Sequence, residues 1–253
     1  MLHIDIFSID IFWICIQICS LSTSCVAALT ILLQVPGQEE CVSQSIPFSI
    51  TAGSTLQGPP LPPAGMWDQG CYWHLDTRQQ EFQSISRSWS QLRGVAGQVD
   101  AVLKGQRADG SETKCHQTLV HGDFKSANLL WNGGKCCAYD FQYVGKGLGV
   151  RDLAYMFASA VDIDVLEEDG GEGQLLRHYH GALQRELHRH GKADAAQHYS
   201  YEVMVAQFEA CVVDYVRFMA GWGMWGNAEW ASERARKVLG RLDKVVGVAR
   251  TGW

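Results

Sequence analysis

The chain has 253 residues, 47% of them apolar and 19% charged, so it can bury a sizeable core and is not a disordered, solvating chain. Nine cysteines, sparse and odd in number, exclude a disulfide scaffold. A net charge of −6 argues against a nucleic-acid partner, which calls for a basic stripe.

The charge is unevenly placed. Residues 1–77 carry six acids (Asp5, Asp10, Glu39, Glu40, Asp68, Asp76) and no Lys or Arg, so all 21 basic residues follow them. Residues 11–33 are uncharged and long enough to span a bilayer. Three readings stay open for them. An anchor lacks the flanking Lys or Arg of a cytoplasmic end. A leader peptide lacks a positive start, since the chain begins MLHIDIFSID. Soluble β structure is suggested by the partial alternation of Ile4, Ile6, Ile9 and Ile11. The expected compartment is the cytoplasm, with membrane attachment only through residues 11–33. Residues 34–65 read as a linker, because Gly58-Pro59-Pro60-Leu61-Pro62-Pro63 cannot form a helix interior or a central strand. This divides the chain into 1–65, an atypical hydrophobic segment plus linker, and 66–253, the body.

The body reads as helix-rich. Asp76 or Thr77 is expected to cap a helix running through Glu81 and Phe82. Residues 86–104 place Trp89, Leu92, Val95, Val99, Val102 and Leu103 at helical spacing, ending at Gly105. A β section follows. Thr118-Leu119-Val120 leads into His121-Gly122-Asp123. Asn128–Trp131 and Lys135–Tyr139 are expected to pair across the Asn132-Gly133-Gly134 turn and to deliver Asp140-Phe141. Gly147 and Gly149 read as loop. Helices are expected over about 173–190, 197–220 and 227–248.

That hairpin brings Asp123, Asn128 and Asp140 to one end of a small sheet. Phosphoryl transfer asks for such a set: a carboxylate to orient the attacking hydroxyl and hard oxygen donors for Mg²⁺. The spacing D-x-x-x-x-N, then a hairpin, then D-F, matches a phosphotransfer catalytic loop.

HGDFKSAN at 121–128, DFQ at 140–142 and GVRDLAYMF at 149–157 resemble the aminoglycoside phosphotransferase and choline-kinase-like superfamily, with DFQ leaning toward its ecdysteroid-kinase-like branch. The resemblance extends over about 66–253, including Tyr72-Trp73-His74-Leu75 and Leu176-Arg177-His178-Tyr179. It implies an α+β fold: the mostly helical C-terminal lobe of a protein-kinase-like enzyme, with a small catalytic β-hairpin. It implies ATP and Mg²⁺ as cofactors and transfer of the γ-phosphate to a hydroxyl of a small-molecule acceptor. Asp123 would be the catalytic base, Asn128 and Asp140 the Mg²⁺ and nucleotide ligands, and His121 a brace for the loop. Lys125 could touch the transferred phosphate. Asp152 would tie a helix start to the catalytic loop.

The nucleotide-covering lobe of such enzymes is expected to be missing or replaced. The first Lys of the chain is Lys104, at the end of a helix rather than on a strand. The rival reading is therefore a non-catalytic remnant acting as an interaction protein. Other features read blandly. Cys136 and Cys137 are adjacent on a strand and point to opposite faces. Cys15 and Cys19 lie in an apolar run. His178, His180, His188 and His190 lack a metal-ligand pattern. Trp222, Met224, Trp225 and Trp230 could line an acceptor pocket but are more often core. Neither the acceptor nor the oligomeric state is legible.

Overall fold

The computed structural model describes residues 28–31, 44–47, 67–113, 115–132 and 135–253. Two short strands come first, β1 (Ala28–Ile31) and β2 (Gln44–Pro47), paired antiparallel with Ala28 opposite Pro47. Residues 44–47 were expected as linker. They are a strand instead, because pairing satisfies their backbone groups, and Pro47, which has no N–H to give, sits at the strand end. The Pro-rich run at 58–63 lies outside the described residues. Of the uncharged stretch at 11–33 the structure describes only β1, so the anchor and leader readings also lie outside them. Among the described residues no helix is long and apolar enough to cross a membrane.

The helical body opens with α1 (Gln79–Ser84) and α2 (Ser90–Leu103). Neither Asp76 nor Thr77 caps α1. Leu75–Thr77 form a separate 3-10 turn, and the α1 cap position is Arg78, which makes no side-chain cap bond. In α2 the expected stripe turns inward: Leu92, Val99, Val102 and Leu103 are buried, while Trp89 and Val95 pack partly buried against the core. Gly105 follows α2 with a φ of +75°, a conformation that glycine adopts without penalty.

The β section has two antiparallel pairs. Strand β3 (Gln117–Val120) pairs with β6 (Gly145–Leu148), and β4 (Leu129–Asn132) with β5 (Lys135–Ala138). The β4–β5 hairpin closes with Asn132 opposite Lys135, as the Asn-Gly signal predicts. Gly147 is a strand residue, not loop. Its missing side chain makes room for Val120, whose Cγ2 would lie 3.1 Å from a Cβ there. No apolar alternation marks β6, so its sequence hides it.

Beyond β6 lie α3 (Val150–Ser159), α4 (Ile163–Glu167), α5 (Gly171–Arg189), α6 (Ala193–His198), α7 (Tyr201–Trp222), α8 (Ala228–Leu239) and α9 (Leu242–Ala249). Two expected helices are each split. The stretch at 197–220 breaks at Ser200, whose hydroxyl accepts from the Val203 N–H and starts α7 afresh. The stretch at 227–248 breaks at Gly240 and Arg241. Helix α4 carries too little periodicity to be foreseen. Helix α7 is the axis of the body, buried along nearly its whole length and packed against α1, α2, α3, α8 and α9. The result is a mostly helical α+β architecture with small two-stranded antiparallel sheets.

Candidate active site

The loop between β3 and β4 holds Asp123 and Asn128, and Asp140 follows β5. The loop turns sharply at Gly122, which has a φ of +82°. A Cβ at Gly122 would lie 2.3 Å from the Tyr143 carbonyl and 2.6 Å from the Cys71 amide nitrogen. Segment 70–72 crosses directly over the loop there, and the Tyr72 N–H donates to the Gly122 carbonyl. Only glycine fits this crossing.

Asp152, in the first turn of α3, grips the same turn from below. Its Oδ2 accepts from the His121 N–H at 2.7 Å and its Oδ1 from the Gly122 N–H at 3.0 Å. Burial raises the Asp152 carboxyl, opposed by His121 and by these two donors. His121 ties the loop to the hairpin. Its Nδ1 accepts from the Asp123 N–H at 3.3 Å, and its Nε2 donates to the Tyr139 carbonyl at 2.8 Å. Its ring also packs 4.6 Å from that of Phe141. The residues before and after Asp140 are thus both held to His121.

Asp123 is 3% exposed. The Asn128 amide nitrogen donates to its Oδ2 at 3.0 Å and to its backbone carbonyl at 2.8 Å. Lys125 Nζ donates to both carboxylate oxygens, at 3.1 and 2.9 Å. With its nitrogen so engaged, Asn128 keeps its amide oxygen as the atom a cation can use. Asp140 is exposed and has a φ of +61°, which Asp tolerates better than most side chains. Its Oδ2 accepts from Gln142 Nε2 at 3.3 Å. Among the described residues no three His, Cys, Asp or Glu side chains converge on one point. The donors on offer are one amide oxygen and one carboxylate. They are hard and few, which fits Mg²⁺ brought in with phosphate oxygens rather than an all-protein cage.

Three tyrosines within reach of the Asp123 charge are not among the residues singled out from the sequence. Burial raises the phenols of Tyr72, Tyr143 and Tyr155, and the Asp123 charge adds to each. Tyr143 feels the Asp140 charge as well. Tyr72 and Tyr155 join hydroxyl to hydroxyl at 3.2 Å. The sequence offered a partial signal, since Tyr72 and Tyr155 stand in two of the stretches that carry the resemblance and Tyr143 directly follows the third.

Lys104 is engaged by acids outside the loop. Its Nζ pairs with Asp100 at 2.6 Å and Asp76 at 2.8 Å. Trp230 is core, whereas Trp222, Met224 and Trp225 are exposed. Cys136 and Cys137 lie on β5, and Cys15 and Cys19 lie outside the described residues.

A sequence model of the phosphotransferase enzyme family matches residues 55–196. The matched span begins before the expected boundary near 65, takes in the whole loop–hairpin–α3 constellation, and ends within α6. No curated protein and no solved structure matches the chain.

Proposed function

The chain belongs to the phosphotransferase enzyme family, and from that premise we propose that it transfers the γ-phosphate of ATP to a hydroxyl of a small molecule. The observation that carries this reading is the Asp123 carboxylate, buried yet hydrogen-bonded by Asn128 and Lys125 in a loop pinned by Asp152. In the proposed reaction Asp123 orients the acceptor hydroxyl and takes its proton. Asn128 and Asp140 would hold Mg²⁺, which when bound neutralises charge on the phosphates. Lys125 sits on a flexible stem, 32% exposed. It can leave Asp123 for the incoming phosphate, freeing the carboxylate for the hydroxyl. His121 and Asp152 act through the loop as positioning residues.

One observation favours a second reading, an interaction protein that keeps the fold without the reaction. Lys104, the first Lys of the chain, is occupied by Asp76 and Asp100 and is not available to a phosphate.

Phosphotransfer from MgATP to a panel of hydroxylated acceptors, with matching calorimetry, separates the two. Mg²⁺ should bind only together with nucleotide, and Asp123→Asn should cut turnover by about 10²–10⁴-fold with the fold retained. Tight Mg²⁺ binding without nucleotide, or turnover unchanged by Asp123→Asn, refutes the catalytic reading.

A further inference from the structure

Residues 67–73 cross the β3–β4 loop as a strap. The Trp67 indole donates to the Gln142 carbonyl at 2.9 Å, and the Trp67 N–H to the Val144 carbonyl at 2.9 Å. The Gly70 N–H donates to the Lys146 carbonyl at 2.7 Å, the Cys71 N–H to the Tyr143 carbonyl at 3.1 Å and the Tyr72 N–H to the Gly122 carbonyl at 3.3 Å. The strap is therefore bonded both to the residue before Asp123 and to the stretch after Asp140. His121 holds the residue before Asp140 through the Tyr139 carbonyl. Asp140, with its positive φ, is thus bracketed on both sides. The approach is close, since a Cβ at Gly145 would lie 2.5 Å from the Trp67 carbonyl. Backbones packed in this way pass a displacement on to one another.

The strap is anchored in the core by a buried fork of ion pairs. Arg217 Nη2 donates to the Trp73 carbonyl at 2.7 Å, and Arg151 Nη1 to the Gly70 carbonyl at 3.4 Å. Asp214 aligns both guanidinium groups. Its Oδ1 accepts from Arg217 Nε at 2.8 Å and its Oδ2 from Arg151 Nη2 at 2.9 Å. One carboxylate thus aims two cations at two carbonyls of the strap. The buried Trp73 ring lies 4.8 Å from that of Tyr155 and 5.6 Å from that of Tyr215, which wedges the strap against α3 and α7.

Stability alone does not call for such a fork, because apolar residues of the same volume often stabilise a core as well as a buried ion pair does. What the fork supplies is a fixed geometry. Its carboxylate and one of its cations belong to α7, which lies beyond the matched span at 55–196.

We propose that Asp214, Arg151 and Arg217 are positioning residues: they fix the strap, and the strap sets the spacing of Asp123 from Asp140. The proposal rests on the phosphotransferase reading for what that spacing accomplishes, since base and metal ligand must stand in register with hydroxyl and phosphate. The anchorage of the strap is testable without any turnover.

The decisive variant is Arg217→Lys in the full chain. Lysine keeps a charge beside Asp214, but one ammonium cannot span Asp214 and the Trp73 carbonyl as the guanidinium does. Arg151→Lys, which loses the Gly70 contact, is the second variant. The control is Glu209→Gln, which weakens another buried ion pair of α7, one whose partners Arg234 and Arg241 are not strap residues. Circular dichroism checks folding and urea unfolding measures stability. Amide hydrogen exchange over residues 70–72 is followed by mass spectrometry, and kcat and KM for ATP are measured on the acceptor panel.

Exchange over 70–72 should be about tenfold faster in Arg217→Lys and unchanged in Glu209→Gln. Turnover in Arg217→Lys should fall about 10–100-fold while KM for ATP holds. Unchanged exchange over 70–72, or an equal change in Glu209→Gln, overturns the proposal. So does full turnover in a variant whose strap has loosened. Failure of both lysine variants to fold makes the fork framework only and also overturns it. If the strap loosens as expected but the unaltered chain phosphorylates no acceptor, the anchorage stands and the phosphotransfer reading falls.

Discussion

Two buried carboxylates, Asp214 in α7 and Asp123 in the β3–β4 loop, face cations in opposite ways. Asp214 is gripped by Arg151 Nη2 at 2.9 Å and Arg217 Nε at 2.8 Å, with all three side chains 1% exposed. Burial works to raise the Asp214 carboxyl, but Arg217 and Arg151 outweigh it and hold it below the ordinary range. The group stays charged and has nowhere to go. Asp123 instead faces Lys125, whose stem is flexible and partly in solvent. A guanidinium fork suits a permanent clamp and an ammonium suits a partner that must leave. The same pairing of acid and base thus serves as framework in the body and, under the proposed function, would be a removable cover at the loop.

The sharpest way to break this comparison is to remove the framework carboxylate. Asp214→Ala should leave two buried guanidinium groups uncompensated and cost about 3–5 kcal/mol. Urea unfolding followed by circular dichroism measures it. A loss no larger than that of Asp123→Asn would show that the two regions are not different in kind.

Asp152 joins both regions, since it follows Arg151 in α3 and holds the loop turn. Asp152→Asn keeps one acceptor and sets an amide N–H₂ against the other backbone donor, a loss of about 1–3 kcal/mol. Turnover should fall while KM for ATP holds. A variant that lost stability but kept full turnover would make Asp152 framework only.

Asp140 offers the reverse trade. Its positive φ is strained for any residue with a side chain, so Asp140→Gly should stabilise the protein by about 0.5–1 kcal/mol while removing phosphotransfer. A thermal melt and a turnover assay on the same preparation check both halves. Destabilisation would mean that the Asp140 side chain supports the fold.

A further effect concerns pH. Burial lowers His116 from 6.5 to about 4, with His198 adding to it, and lowers His74 likewise to about 4, with Arg151 adding. At His116 the geometry agrees. Its Nδ1 accepts from Trp253 Nε1 at 3.2 Å and from Gln207 Nε2 at 2.9 Å, so that nitrogen must be unprotonated. The unfolded ring takes a proton at its ordinary value and the folded ring does not. This stability is therefore complete above about pH 6.5, is lost as pH falls toward 4, and changes no further below that. His116→Asn supplies an acceptor that does not titrate and tolerates the positive φ of 62°. It should flatten the melting-temperature profile over that window. An unchanged slope would exclude His116 as a source of acid sensitivity.

Sequence spacing alone settled much of the loop. HGD-x4-N, the Asn-Gly turn and the DF pair identify the hairpin and its neighbours because turn chemistry and strand pairing are local. The apolar stripes of α2 and α7 are legible for the same reason, since helical periodicity is written over adjacent turns. What tertiary structure decided is what lies between distant segments. Strand β6 has no alternation of its own and exists because β3 is there to pair with it. Gly122 is required by a segment some fifty residues upstream in sequence, which crosses over it. The aromatic contacts join segments around residues 72, 143, 155 and 222, and no spacing rule relates them. Nor does composition say which tryptophans are core. Trp73 and Trp230 are buried and Trp222 and Trp225 exposed, because Trp222 ends α7 and Trp225 lies in the turn that Asn227 ties to the Phe157 and Val161 carbonyls.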